Sequence, residues 1–137
     1  MTVRELNRDD MASYQKLVEK CGTIFNRLDW VSLFDGKIRI LGVFNKNDEL
    51  IGGMTVSVRR ILWLKMLMAQ PLSSATGPFY RSFASNGVKK LEERRSVVEA
   101  LAKYIEDERY CVVSIPMAPE NFDMLPFIWR DYKVVTR

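Results

Sequence analysis

The sequence predicts a single domain of mixed α/β class, built on one mixed sheet with a long helix against it. Three features predict this class. Residues 37–45 and 50–58 both alternate apolar and polar side chains, which is the period of a half-buried strand. Residues 88–108 instead repeat apolar side chains every three or four positions, as one face of a helix requires. A chain of 137 residues is long enough for one core and too short for two domains.

The N-terminal residues predict a short strand followed by a helix. Residues 2–6 alternate, and Asp9 and Asp10 then offer carboxylates that can accept hydrogen bonds from the free N–H groups at a helix start. Gly22 is expected to end this helix. Its apolar face is expected to carry Met11, Tyr14, Leu17 and Val18.

A second short helix over residues 30–34 is predicted between Asp29, which can cap it, and Gly36, which can end it. The two alternating segments then follow, joined by the polar loop Asn45–Glu49, and together they predict an antiparallel hairpin. Gly52 and Gly53 lie inside the second strand, where paired glycines indicate a bulge or the close approach of another backbone.

The remaining elements follow from composition and from proline. After the hairpin, a third strand is predicted to be buried on both faces, and a long irregular segment then leads to the helix over residues 88–108. Irregular segments of this length are usually either functional or disordered. The predicted elements are a strand at 63–70 ended by Pro71, an irregular segment at 72–86, a strand at 110–115 ended by Pro116, a loop or short helix at 118–126, and a last strand at 132–136.

Composition excludes several kinds of chemistry. The chain has no histidine, so it cannot build a Ser-His-Asp or Cys-His nucleophile or an imidazole zinc site by itself. Cys21 and Cys111 are far apart and predict buried free thiols in a reducing compartment, with a structural disulfide as the alternative. The sequence predicts no metal site.

Charge and hydropathy indicate no membrane span and no nucleic-acid surface. The net charge is +4, but the basic residues are dispersed, and the largest cluster, over residues 89–95, is interleaved with Glu92 and Glu93. The longest apolar stretch, residues 61–69, is about half of what a spanning helix needs. With no apolar segment near the N-terminus to act as a secretion signal, we expect a cytoplasmic protein.

The order of elements resembles the GNAT acyltransferase fold, in which a strand and two small helices precede a three-strand meander, a long helix and a fifth strand. Within that fold the chain is most similar to FemAB-type proteins, which join two such domains in tandem. The resemblance covers most of the chain and rests on structural motifs. They are Trp30–Asp35, the segment from Asp48 to Gly77-Pro78, and Pro126-Phe127-Ile128-Trp129 followed by Asp131–Val134.

The resemblance also implies what the chain lacks. Active GNAT domains carry a glycine-rich loop in front of the long helix, whose N–H groups hold the pyrophosphate of coenzyme A. Here that region is the loop 71–86, whose neighbouring glycines, Gly77 and Gly87, match no such pattern. The resemblance therefore implies residues 1–137 as one GNAT-like domain, incomplete at the C-terminus. It would be the N-terminal, acceptor-binding half of a two-domain protein, with no catalytic residue and no cofactor site of its own.

Six residues are candidates for binding an acceptor substrate. Five of them follow a predicted buried strand, where an α/β fold often places ligand contacts, although a surface loop rich in turn residues is the alternative. The sixth is an aromatic residue near the C-terminus that could line a cleft or an interface, with core packing as the alternative. These residues are Gln70, Ser74, Thr76, Gly77, Tyr80 and Trp129.

Two classes of function remain open, with a third behind them. The first is the acceptor-binding and structural half of a FemAB-like acyl- or aminoacyl-transferase acting on an amine. Its acceptor would be a small molecule or a cell-wall saccharide, and acyl-CoA or aminoacyl-tRNA would serve the full-length protein. The second is a non-catalytic binding module on a GNAT scaffold, and the third is a complete small N-acetyltransferase. The native reading frame's length would separate the first two. An open edge at the predicted last strand would also favour a homo-oligomer.

Overall fold

A computed structural model describes residues 1–34, 36–119 and 123–136 of the chain. It contains a six-stranded sheet and four α-helices. In chain order these are β1 (Thr2–Glu5), α1 (Met11–Cys21), α2 (Leu28–Val31), β2 (Ile38–Phe44), β3 (Leu50–Ile61), β4 (Leu64–Met68), β5 (Phe79–Tyr80), α3 (Gly87–Asp107), β6 (Val112–Val113) and α4 (Leu125–Ile128). Three short 3-10 helices lie at Arg8–Asp10, Ile24–Asn26 and Ser32–Phe34.

The predicted mixed sheet and its central hairpin are confirmed. The strand order is β1-β2-β3-β4-β6, with β5 also paired to β3. Strands β2 and β3 pair antiparallel from Ile38 opposite Ser57 to Val43 opposite Gly52. The next pair is Phe44 with Leu50, which leaves Ile51 as an extra residue in β3. The bulge predicted around the two glycines therefore lies one residue before them.

The core lies on both faces of the sheet. Alternate residues of β2 divide between two clusters, Leu41 and Val43 in one, Ile40 and Phe44 in the other. Successive side chains of a strand point to opposite faces, so α3 covers the first face and α1 the second. The long helix is confirmed, although Leu91, an apolar residue near its start, is exposed. Its buried residues are Val97, Val98, Leu101, Ala102 and Ile105.

The ends of α1 differ from the prediction. Asn7, and neither Asp9 nor Asp10, caps the 3-10 turn that leads into α1, and the Asp10 carboxylate accepts from the Asn7 N–H in return. Gly22 does follow the helix, but its backbone is extended with φ −87°. Glycine suits this position for a steric reason, because a Cβ there would lie 2.9 Å from a Val18 methyl group.

Several predictions for the middle and the end of the chain were wrong. The third strand, predicted at 63–70 and buried on both faces, is β4, in which only Leu67 is buried. The segment 72–86, predicted to be irregular, contains β5. Strand β6 covers only two of the six residues predicted, because β4 is its one partner and pairs with it only there. Residues 132–136 form no strand, since strand composition yields a strand only where a neighbour accepts its hydrogen bonds.

The prediction of two buried free cysteines is confirmed in part. Both cysteines are free, but Cys111 is exposed and not buried, and its Sγ contacts the Lys65 carbonyl at 3.2 Å. Burial raises the pKa of the Cys21 thiol to about 11.

No helix within the described ranges is long and apolar enough to cross a membrane. Self-association stays a prediction. The open edge of a terminal strand no longer supports it, because residues 132–136 form no strand.

Acid should weaken the ion pair at the start of α1. The Arg4 guanidinium donates two hydrogen bonds to Asp10, at 2.6 and 2.8 Å, and lowers the pKa of that carboxyl from 3.8 to about 2. A carboxyl whose pKa is lower in the folded state than in the unfolded state stabilises the fold at any pH above its unfolded-state pKa. This stabilisation is lost as the pH falls towards the folded-state pKa. We therefore expect Asp10→Asn to lower the free energy of unfolding at neutral pH by no more than about 1 kcal/mol, because solvent screens an ion pair at the surface.

The difference from wild type should shrink between pH 3.8 and about 2. Urea unfolding over that pH range measures it. Asp9→Asn is the control, because Asp9 forms no ion pair with any described residue. A difference that is constant over this range would contradict the explanation.

Candidate functional site

A break in one strand creates the region of interest. Strands β4 and β5 both pair antiparallel with β3, Met68 opposite Ser57 and Phe79 opposite Gly53. Met68 and Phe79 are eleven residues apart, whereas their partners are four apart, so seven residues loop out of the sheet. We call residues 69–78 the strand-break loop.

Asn26 ties this loop to the start of the chain. It is fully buried, and its side-chain Nδ2 donates to Thr55 Oγ1 at 3.1 Å and to the Thr76 carbonyl at 3.5 Å. Its Oδ1 accepts from the Thr23 N–H at 2.9 Å. Thr23 Oγ1 lies 2.7 Å from the Ala75 carbonyl. These bonds fix the C-terminal half of the loop against β3 and the 3-10 turn Ile24–Asn26.

Gln70 fixes the N-terminal half. Its side chain is buried, and Nε2 donates to the Phe25 carbonyl at 2.6 Å. Its Oε1 is buried and has no hydrogen-bond partner among the described residues. A buried carbonyl without a partner costs free energy unless a water or ligand bonds to it. Trp30 adds a third tie, because its Nε1 donates to Ser73 Oγ at 2.9 Å.

A cleft opens where β4 and β6 separate. These strands pair in parallel only at Met66 with Val112 and Leu67 with Val113, followed by one bond from the Ser114 N–H to the Leu67 carbonyl. Beyond Leu67 and Ser114 the two chains diverge. Further along, the strand-break loop and the chain after β6 are connected again, because the Gly77 N–H donates to the Pro116 carbonyl at 2.9 Å.

The cleft has a volume of about 930 Å³, and a smaller, charged groove beside α1 has a volume of about 430 Å³. Its walls come from the strand-break loop, the chain after β6, helix α4 and the C-terminal segment. They are Ala69, Leu72–Ser74, Val113–Met117, Met124, Phe127, Ile128 and Tyr132–Thr136.

The walls offer hydroxyl groups and apolar surface but few charges. Among the described lining residues Lys133 is the one charged side chain, and none is Asp, Glu or Cys. Burial raises the pKa of the Tyr132 phenol, so this group stays protonated at neutral pH and can donate a hydrogen bond. The nearby Asp123 carboxylate is buried and bonded to Arg95 Nε at 3.3 Å. No group of three or more metal-ligating side chains occurs in the described ranges.

The structure separates the six predicted acceptor-binding residues. Ser74 lines the cleft, whereas Gln70, Thr76 and Gly77 are buried beneath it and hold the loop. Tyr80 lies on β5, and its hydroxyl accepts a hydrogen bond from Arg94 Nε at 3.3 Å. Trp129 follows α4, is 61% exposed and does not belong to the lining of the cleft, and the Arg95 guanidinium lies 5.9 Å from its ring. Contact with substrate stays a prediction for all six.

Sequence reasoning missed Asn26 and Tyr132. Thr23 and Asn26 stand three residues apart, the spacing of a reciprocal cap, and this pattern could have indicated Asn26 as a structural residue. Tyr132 was assigned to a strand, and no local signal places it in the lining of the cleft.

The chain in front of α3 carries an internal carboxylate contact. Glu93 Oε2 accepts from the Ser82 hydroxyl at 2.8 Å and from the backbone N–H groups of Phe83 and Ala84 at 3.1 and 3.4 Å. Asn86 caps the helix by accepting from the Lys89 N–H. The Phe83, Ala84 and Lys89 N–H groups, which could otherwise face an anionic ligand at this helix start, are therefore already bonded within the chain.

Comparison with known proteins identifies the fold. No protein-family model matches the sequence, and no curated protein matches it. Among solved structures, a ribosomal-protein-alanine N-acetyltransferase from Brucella melitensis biovar Abortus 2308 is similar, with 12% identity, a TM-score of 0.54, and coverage of 100% of this chain and 99% of that one. An aminoglycoside N-acetyltransferase solved with CoA has 15% identity and a TM-score of 0.53, covering 99% and 93%.

A third similar structure is an acetyltransferase from Trypanosoma brucei, at 11% identity and a TM-score of 0.53, with 99% of this chain and 94% of that chain covered. Likeness at these identities shows the fold. The predicted GNAT-like fold is confirmed over the whole chain, and the FemAB-type tandem arrangement stays a prediction.

Proposed function

We propose that this chain is the acceptor-binding domain of a GNAT-fold acyltransferase, and that it does not bind the acyl donor tightly by itself. The observation that carries the proposal is the contrast between two places. The cleft between β4 and β6 is open and lined from four segments, whereas the donors in front of α3 are bonded to Glu93.

The cleft suits an acceptor with hydroxyl groups and apolar edges. Ser74, Ser114 and the Tyr132 phenol can exchange hydrogen bonds with such an acceptor, and Phe127 and Met117 offer apolar contact. A saccharide that carries an amine has both kinds of surface. Lys133 would repel a charged ammonium, which favours the neutral amine that acyl transfer requires.

The chemistry needs more than this domain supplies. An amine that attacks an ester or thioester carbonyl must be held near the carbonyl and must lose a proton. The described lining offers positioning but no carboxylate or thiol to take that proton. We therefore assign the proton acceptor and the acyl-donor site to a second, FemAB-like domain, and the acceptor cleft to this chain.

Calorimetric titration with acetyl-CoA at low salt tests the donor half of the proposal. We expect no measurable binding, because the Phe83 and Ala84 N–H groups already have a carboxylate partner. A pyrophosphate would have to displace Glu93 to reach them. One-to-one binding with micromolar affinity would contradict the proposal.

Titration with glucosamine, followed by amide NMR shifts, tests the acceptor half. We expect the shifted amides to cluster in residues 72–74 and 113–117, which form two walls of the cleft. Glucose is the control ligand. It should move the same amides, because the described lining has no carboxylate to recognise the amine. Shifts confined to another part of the chain would contradict the assignment of the acceptor to this cleft.

A second candidate is a small N-acetyltransferase that is active by itself. It is favoured because the chain covers 93% or more of the acetyltransferase structures compared above, and because Lys89 and Lys90 are exposed in the first turn of α3. The acetyl-CoA titration separates the two candidates, since only the second requires tight one-to-one binding.

A further inference from the structure

The β3–β4 hairpin ends in four exposed apolar side chains, which we call the hairpin tip (residues 61–64). Leu62 is 83% exposed and Trp63 85% exposed, and Ile61 and Leu64 flank them with about half of their surface in solvent. Ile61 pairs with Leu64, so Leu62 and Trp63 form a two-residue turn. Strand β2 pairs with β3 only up to Ser57, so the last four residues of β3 project beyond it.

The residues of this turn are not the ones that best stabilise a two-residue hairpin turn. Leu62 has a φ of 57°, in the left-handed region that glycine, asparagine and aspartate tolerate best. Two-residue hairpin turns normally carry those residues because they adopt that region with little strain. Residues that break a local rule without a gain in packing are characteristic of functional positions. The tip therefore indicates contact with something outside the domain.

Two unpaired basic side chains accompany the tip. Arg59 and Arg60 are exposed, and neither forms an ion pair with a described residue. Lys65 follows on β4, and its Nζ is bonded to the Glu108 carboxylate at 2.8 Å, so this carboxylate is already paired. The projecting ribbon thus combines an apolar end with a positive base.

We propose that the hairpin tip inserts into the interfacial region of an anionic phospholipid bilayer. Tryptophan favours that region because its ring is apolar and its N–H can still reach water or a headgroup. Arginine can lay its apolar stem along the acyl boundary while its guanidinium stays among the phosphates. Each basic residue near an anionic surface strengthens binding roughly fivefold.

The shape of the tip favours a lipid surface over a protein partner. A stable protein interface buries about 800 Å² on each side and needs a broad complementary patch. The tip is a convex end only two residues wide at its turn, which suits insertion between headgroups. Binding through one such tip is expected to be reversible and to weaken with salt.

Co-sedimentation with lipid vesicles tests the proposal on the full chain. We expect the protein to sediment with vesicles of phosphatidylcholine mixed with phosphatidylglycerol, and to remain in the supernatant with phosphatidylcholine alone. Trp63→Ser should weaken binding on the order of tenfold or more, since it removes the largest inserted apolar surface. Trp129→Ser is the matched control, because Trp129 is also exposed but directly follows α4, outside the hairpin, and it should bind as wild type.

Two further variants separate insertion from folding and from general charge. Leu62→Gly relieves the positive φ, so its thermal midpoint should be unchanged or higher while vesicle binding falls. Arg59→Ala with Arg60→Ala should weaken binding by roughly twentyfold or more. The exposed pair Lys89→Ala with Lys90→Ala is the control and should have a much smaller effect.

Three results would overturn the proposal. They are equal binding to both vesicle types, equal losses from the Arg59-Arg60 and Lys89-Lys90 pairs, and wild-type binding by Trp63→Ser. Light scattering distinguishes a second copy of the chain as the partner. A mass that falls in Trp63→Ser, with vesicle binding unchanged, would assign the tip to self-association and overturn the lipid proposal.

Discussion

Replacing Asn26 by alanine is expected to lower the free energy of unfolding by about 3 kcal/mol. The variant removes an amide from a fully buried position, and it leaves the buried Thr55 hydroxyl and the Thr23 N–H without their partner. Each polar group left unsatisfied in the interior costs roughly 1–3 kcal/mol. A domain of this size is stable by only about 5–15 kcal/mol, so the loss is a large fraction of the total.

Urea unfolding followed by circular dichroism measures the effect of Asn26→Ala. The control is Asn47→Ala, because Asn47 is exposed in the turn between β2 and β3 and only its backbone N–H takes part in a described hydrogen bond. It should change stability by less than about 0.5 kcal/mol. Equal effects of the two variants would show that Asn26 does not hold the strand-break loop.

Replacing Gly77 by alanine is expected to cost about 2 kcal/mol, the usual size of overpacking in a close contact. A Cβ at this position would lie 2.8 Å from the Pro116 carbonyl and 3.2 Å from the Met117 Cα. Both are backbone atoms, so the strand-break loop and the segment after β6 must move apart. The same movement should weaken the Gly77-to-Pro116 hydrogen bond that rejoins the two sides of the cleft.

Gly87→Ala is the matched control for Gly77→Ala. A Cβ at Gly87 meets no atom within 4 Å, and alanine is a better helix former at the start of α3. Thermal unfolding should therefore show Gly77→Ala lower than wild type, and Gly87→Ala equal or higher. If both variants match wild type, the approach of Gly77 to the Pro116 carbonyl is not close enough to exclude a Cβ.

The parts of the fold that could be predicted are those whose evidence is local. The β2–β3 hairpin follows from alternation on both sides of a polar loop, and α3 follows from a long amphipathic repeat. Residues 132–136 have equally good strand composition, but among the described residues they pair with no strand of the sheet. Strand β6 is short for the same reason, since pairing with β4 stops at Val113. Partners distant in sequence decide these cases.

The candidate site could be predicted even less. The strand-break loop forms one wall of the cleft and contains Ser74, and contact of this residue with a substrate stays a prediction. Its buried members, Gln70 and Thr76, could not be distinguished from Ser74 by composition, because all three are polar residues in one segment. Burial depends on Phe25 and Asn26, more than forty residues away.

The broken strand divides the chain into parts that can vary independently. Residues on either side of the break keep their register through β3, so adding or removing residues at its middle leaves every pair of the sheet in place. The anchors at Gln70 and at Ala75, Thr76 and Gly77 constrain the loop's ends, and the Trp30 side chain bonds to Ser73 in the stretch between them. The stretch between them can therefore be exchanged to reshape one wall of the cleft, as an antibody loop is exchanged on its framework, while the sheet is inherited unchanged.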